Sequence, residues 1–302
     1  MRRAFYFFTI GLMLVFGTLK SQNIPATSLS FHSALEEQAI KEFMENKEGN
    51  MFALQMISAH DLSATELSDY STRLDEFVVK LSEKRQKYKN DEKFLSYIFY
   101  KINQKFLKRY KPFTSPAMLF KTGEYDCLSG TTMYALILDR LDIDHDIVET
   151  NHHIYLRIER AGKVYLMEST DPMYGFIADQ KEVANRLNDY DYEAGAGIPR
   201  ESVDKDVYVF RNQVNETIDM YDLVGLHYYN AAVNSFNQED ISTSINNLEK
   251  AVVFYFSPRI SEFGLLVGKT LLQVNHIQGE DKRDYLNRIN HLLSVERTYA
   301  VR

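Results

Sequence analysis

A change of hydrophobic period between residues 127 and 170 constrains the fold of this chain more than any other feature. After Cys127, apolar residues recur at helical spacing at Met133, Leu136, Ile137 and Leu141. Residues 152–158 alternate between apolar and polar instead, and residues 164–170 follow a Gly-containing turn as a second strand. A helix followed by a β-hairpin predicts an α+β fold.

The chain's single cysteine, Cys127, stands at the start of the predicted helix, and Asp126 stands at the N-cap. Unpaired N–H groups and the positive end of the helix dipole favour a thiolate there. The negative charge of Asp126 opposes a thiolate. Because a lone cysteine is often a small buried hydrophobic residue, a reactive thiol and a structural thiol both remain open.

Two histidines and two acids follow the cysteine in the predicted hairpin. With a three-residue loop at 161–163, His153 and Asp171 lie opposite each other on neighbouring strands. A loop one residue shorter or longer changes the partner and its face. His152 is an alternative base that points to the opposite face, and Asp171, which precedes Pro172, is alternatively an ordinary turn residue.

The order of these motifs resembles the transglutaminase-like superfamily. A helix opens with cysteine, His153-Ile-Tyr-Leu-Arg-Ile forms a strand, and the next strand ends in an acid near proline. The resemblance covers residues 94–172 and implies a papain-like core whose cysteine-bearing helix packs on an antiparallel sheet. It further implies a triad of Cys127 as nucleophile, His153 as base and Asp171 as orienting acid. Glu168 is the alternative acid.

The superfamily includes transglutaminases, cysteine peptidases, amidases and inactive relatives. The resemblance therefore implies either a thiol enzyme acting on amide bonds of a protein or peptide substrate, or a non-catalytic scaffold or binding protein. Accessibility of Cys127 and its hydrogen-bond reach to His153 would distinguish the two.

The N-terminus has the layout of a secretory signal peptide over residues 1–21: two arginines, a short apolar run, and small residues at the exit. We expect cleavage after Ser21 and a periplasmic or extracellular protein of bacterial type; an uncleaved anchor is the alternative. A single cysteine excludes an internal disulfide.

Helices are predicted on both sides of the central stretch. Amphipathic spacing predicts a helix over 31–47, Ser63 and Glu66 form a capping-box signal, and Asp91 opens a third helix. Residues 180–187 predict another helix and residues 207–210 a short strand. We assign residues 22–215 to a transglutaminase-like domain with N-terminal helices.

Residues 216–302 are assigned to a C-terminal helical segment. Residues 226–258 resemble one tetratricopeptide repeat, and two further helices are expected at 259–274 and 282–295. Since one repeat cannot bury its own apolar face, these helices must pack on each other or on the core. They are either a structural cap or a surface for a protein partner.

The net charge of −7 gives no indication that the protein binds nucleic acid or an anionic membrane. We expect no cofactor and no metal, because the sequence has no phosphate-binding loop, no His-Glu-x-x-His and no cysteine pair. After signal cleavage we expect no membrane contact.

Overall fold

The computed structural model describes residues 29–151, 153–195, 214–274 and 277–299, without the side chains of 191–195 and 295–299. This part of the chain is a mixture of helices and one main antiparallel sheet, so the α+β class is confirmed. The predicted signal peptide and the predicted strand at 207–210 lie outside the described residues. No helix in the described ranges is long and apolar enough to cross a membrane.

The helices of the N-terminal half form where the sequence places their caps. Ser63 and Glu66 form the predicted capping box, and Asn90 caps the helix that begins at Asp91. The helices up to the cysteine are α1 (Ala34–Asn46), α2 (Met51–Met56), α3 (Ala64–Ser82), α4 (Asp91–Phe106) and α5 (Ala117–Lys121). The short strands β1 (Arg109–Tyr110) and β2 (Glu124–Tyr125) pair in parallel and lead into the cysteine helix.

The central helix and the hairpin form as predicted, with different limits. Helix α6 (Cys127–Arg140) begins at Cys127 with Asp126 as its N-cap. It is followed by β3 (Asp146–Thr150), β4 (Ile154–Arg160), β5 (Lys163–Met167) and β6 (Phe176–Ile177). With β7 (Asn215–Ile218) they form a five-stranded sheet in the order β6-β5-β4-β3-β7.

The predicted three-residue hairpin loop is wrong. Arg160 pairs with Lys163, so the loop has two residues, Ala161 and Gly162. Both have positive φ, 51° and 73°, which is the backbone requirement of a two-residue type I′ turn. This register moves the partner of every residue on β4 by one position.

The sheet separates two apolar layers, because side chains alternate between its faces. On one face Ile154, Leu156 and Met167 join the main core together with α6. On the other face Tyr155 and Leu166 pack with Val183 and Tyr190 of α7 (Gln180–Gly195) in a smaller cluster. Helices α6 and α7 therefore cover opposite faces of the sheet.

The C-terminal helices pack on each other and on the core, as expected. They are α8 (Met220–Asn237), α9 (Ile241–Phe254), α10 (Pro258–Gln273) and α11 (Gly279–Tyr299). Helix α8 forms a hairpin with α9 and also packs on α6 and α2. The main core runs through these helices without a break, and the boundary drawn at residues 215/216 falls inside β7.

Candidate functional site

Cys127 is the first residue of α6 and is partly accessible. The Asp126 carboxylate accepts hydrogen bonds from the amides of Ser129 (2.7 Å) and Thr114 (3.1 Å), which fixes the helix start. The hydroxyl of Ser169 donates to the Cys127 carbonyl at 3.1 Å. The end of the hairpin is thus bonded to the residue that bears the thiol.

The environment of Cys127 favours the neutral thiol. Burial and then the negative charge of Asp126 raise its pKa to about 12. The amides of Leu128 and Cys127 and the positive charge of Arg259 act in the other direction but are outweighed. The helix start stabilises a thiolate, but burial and the charge of Asp126 destabilise it by a larger amount. The expected thiolate is therefore not the stable form here.

His153 stands just before β4 and pairs with an acid. Its Nδ1 lies 3.5 Å from Oε1 of Glu168, and its ring centroid lies 6.0 Å from that of Tyr190. Its backbone is held by Thr150, whose hydroxyl accepts from the His153 amide at 3.0 Å. The histidine therefore has an orienting carboxylate, as a general base requires.

Glu168 is the buried acid of this group. It accepts a hydrogen bond from the Tyr190 hydroxyl at 2.9 Å and lies 3.6 Å from the guanidinium of Arg186. Burial and the neighbouring Glu168 raise the pKa of Tyr190, which keeps its hydroxyl protonated as a donor. Sequence reasoning named Glu168 as the alternative acid but missed Tyr190 and Arg186, which come from α7.

Asp171 does not lie opposite His153, contrary to the sequence prediction. The two-residue hairpin loop shifts the register, and Asp171 stands beyond β5 in the turn that leads to β6. Its carboxylate accepts from the amides of Met173 (3.1 Å) and Tyr174 (2.9 Å). These bonds are those of an Asx turn, the alternative that the sequence left open.

Cys127 and His153 are not brought together. Cys127 packs against the main core on the α6 face, whereas His153 contacts Glu168 and Tyr190 on the α7 face. Among the described residues, no hydrogen bond joins the thiol to His153. His152, the alternative base, lies outside the described residues.

Arg259 is a third residue near this site that sequence reasoning missed. From the start of α10, its guanidinium donates to the carbonyls of Thr150 (3.1 Å) and Asn151 (3.3 Å). These carbonyls belong to the turn that precedes His153. No local signal could have found it, because it comes from a helix that the sequence assigns to a separate segment.

The described residues contain no group of three His, Cys, Asp or Glu side chains able to hold a metal ion. Comparison with protein-family models, with curated proteins and with solved structures gives no significant match for this chain. The resemblance to the transglutaminase-like superfamily therefore stays a prediction from the sequence motifs.

Proposed function

We propose that this chain is an exported, transglutaminase-like thiol enzyme that acts on amide bonds of a protein or peptide. Cys127 is the nucleophile and His153 the base. Glu168, not Asp171, is the acid that orients the base. The observation that carries the proposal is the His153–Glu168 pair, one residue from the Ser169 side chain that is bonded to Cys127.

The pair with Glu168 determines the role of each ring nitrogen of His153. Since Nδ1 faces Glu168, Nε2 is the nitrogen that takes a proton from the thiol. The sulfur then bonds to the amide carbonyl carbon, and the proton passes to the departing amine as the C–N bond breaks. Water or a second amine attacks the thioester and releases Cys127 as a thiol. Water gives a peptidase or amidase, and an amine gives a crosslinking enzyme.

This chemistry requires a movement of the base toward the thiol. In the arrangement described, the thiol has no hydrogen-bonded base. His153 lies outside the strand ladder and its side chain is 40% exposed, whereas Tyr155 beside it is buried. Catalytic hydrogen bonds are often incomplete before substrate binds.

The second candidate is a non-catalytic scaffold or binding protein that uses the C-terminal helices for partner contacts. Two observations favour it: the raised pKa of Cys127, and the lack of a hydrogen bond between Cys127 and His153 in the described part of the chain. In that case Cys127 is a structural thiol.

Iodoacetamide alkylation of the folded protein between pH 5 and pH 10 separates the two candidates. An enzyme whose base reaches the thiol in solution shows alkylation near pH 6, which His153→Ala slows by at least about tenfold. Glu168→Gln slows it less, and Asp171→Asn leaves it unchanged. His152→Ala tests the alternative base.

A structural thiol gives a different profile. Its rate climbs about tenfold per pH unit, because the neutral thiol must ionise first, and no substitution at 152, 153 or 168 changes it. That result would rule out the enzyme.

Export is tested separately: protein recovered outside the cytoplasm should begin at Gln22, and protein that still begins at Met1 contradicts cleavage.

A further inference from the structure

We propose that Arg259 is a positioning residue of the site: from the C-terminal helices, it holds the turn on which His153 depends. The inference rests on the proposed function for its catalytic meaning, but the positioning itself is a separate structural claim. It makes the C-terminal helices part of the site and not merely a cap.

The first support is the contact of Arg259 with the turn. One terminal nitrogen, Nη2, donates to the carbonyls of both Thr150 and Asn151. Those carbonyls close β3 and begin the connection to His153. Hydrogen bonds from a charged donor are stronger than neutral ones, so Arg259 restrains the backbone path between the strands.

The second support is that the guanidinium is itself held. Its Nε lies 2.9 Å from Oε1 of Glu149, and both side chains are largely buried, with 13% and 4% exposed. The hydroxyl of Tyr255 lies within hydrogen-bond distance of the carboxyl groups of Glu149 and Glu216, at 2.9 Å from the latter. The planar guanidinium of a buried arginine, held in this way, orients the groups that it binds. A lysine ammonium lacks this fixed geometry.

The third support is the position of Arg259 relative to both candidate catalytic groups. The turn is anchored to His153 through Thr150, whose amide donates to the His153 carbonyl at 2.8 Å. On the other side, the positive charge of Arg259 acts on Cys127 and lowers its pKa against the larger opposing effects. Arg259 thus holds the turn by hydrogen bonds, and its charge also acts on the thiol.

Amide hydrogen exchange of the full chain tests this inference. In Arg259→Gln, the amides of Thr150 and His153 should exchange at least about tenfold faster than in the wild type, because loss of a charge-assisted hydrogen bond opens the turn locally. Amides in α4 should exchange at unchanged rates. If Arg259 only stabilised the whole fold, all protected amides would accelerate together.

Arg288→Gln is the matched control. Arg288 also forms a part-buried pair with a glutamate, Glu249, within the C-terminal helices, but it does not touch the turn. It should leave exchange at Thr150 and His153 unchanged. The inference is overturned if these two amides accelerate no more in Arg259→Gln than in Arg288→Gln.

Arg259→Lys covers the case in which the glutamine variant does not fold. Lysine keeps the charge but not the planar fork, so exchange at Thr150 should still rise. Unchanged exchange in the lysine variant counts against the inference. Hydrogen exchange does not require enzymatic activity, so the two proposals can fail separately. If the wild-type thiol shows no activation by His153 but the turn still opens in the Arg259 variants, the enzyme is refuted and the positioning role stands.

Discussion

At the scale of single residues, the reactivity of Cys127 is decided by its immediate neighbours. A helix start lowers a thiol pKa through its amides and dipole. Here burial and the adjacent carboxylate of Asp126 act in the opposite direction and dominate. The same carboxylate caps the helix through Ser129 and Thr114, so the residue that starts the helix also suppresses the thiolate.

Asp126→Asn separates these two effects. Asparagine is as good an N-cap as aspartate, so the bond from the Ser129 amide should persist while the bond from Thr114 and the negative charge disappear. The pKa of Cys127 should fall from about 12, and alkylation by iodoacetamide at pH 8 should become several-fold faster. Asp219→Asn, at the N-cap of α8, is the matched control and should leave the rate unchanged. An unchanged rate in Asp126→Asn would mean that Asp126 does not control the thiol.

At the scale of elements, the site depends on how closely α6 approaches β5 and the residues that follow it. A Cβ atom on Gly130 would lie 2.7 Å from both Cβ and Oγ of Ser169, which is closer than carbon atoms pack. The absence of a side chain at Gly130 therefore allows Ser169 to reach the Cys127 carbonyl.

Gly130→Ala should destabilise the protein by about 1–3 kcal/mol, because the added methyl group forces the helix and the strand apart. Thermal unfolding measures this. Gly264→Ala in α10 is the control, since its Cβ would meet side-chain atoms at 3.4 Å and beyond, and it should be neutral or slightly stabilising. Ser169→Gly in the Gly130→Ala background should restore part of the loss. Equal unfolding temperatures for both alanine variants would contradict the close approach.

At the scale of the whole molecule, a buried ionic group joins the two ends of the described chain. Glu36 of α1 is fully buried and accepts from Lys250 of α9 at 2.7 Å and from Tyr228 of α8 at 2.8 Å. Burial opposes ionisation of Glu36, but hydrogen bonds from His32 and the charge of Lys250 hold its pKa below the usual value. The N-terminal helix is thus fastened to the C-terminal helices.

Lys250→Met should cost about 3–5 kcal/mol of unfolding free energy, because it leaves Glu36 charged and buried without its partner. Denaturant unfolding measures the loss. Adding Glu36→Gln should recover much of it. Lys41→Met is the matched control: Lys41 pairs with Glu37 on the exposed side of α1, and this change should cost at most about 1 kcal/mol. A loss no larger in Lys250→Met than in Lys41→Met would show that the buried pair does not hold the ends together.

The sequence by itself determined the local features of this protein. The start of α6 at Cys127, the capping box at Ser63, and the alternation of β4 all follow from contacts within a few residues, and hydrophobic period separates helix from strand. These features are sufficient for the α+β class. The candidate residues Cys127, His153 and Asp171, with Glu168 as the alternative acid, came from the family resemblance.

Only the tertiary structure decided which of these residues meet. A hairpin loop one residue shorter than expected moved Asp171 out of register with His153, and Glu168 is the acid that lies beside the histidine. Period alone cannot fix a loop length. Which polar side chains meet Cys127 and His153 depends on how α6 and α7 pack on the two faces of the sheet. Arg259 reaches Thr150 across 109 residues of chain, and contacts of that range follow from the packing of the whole core, which no local pattern encodes.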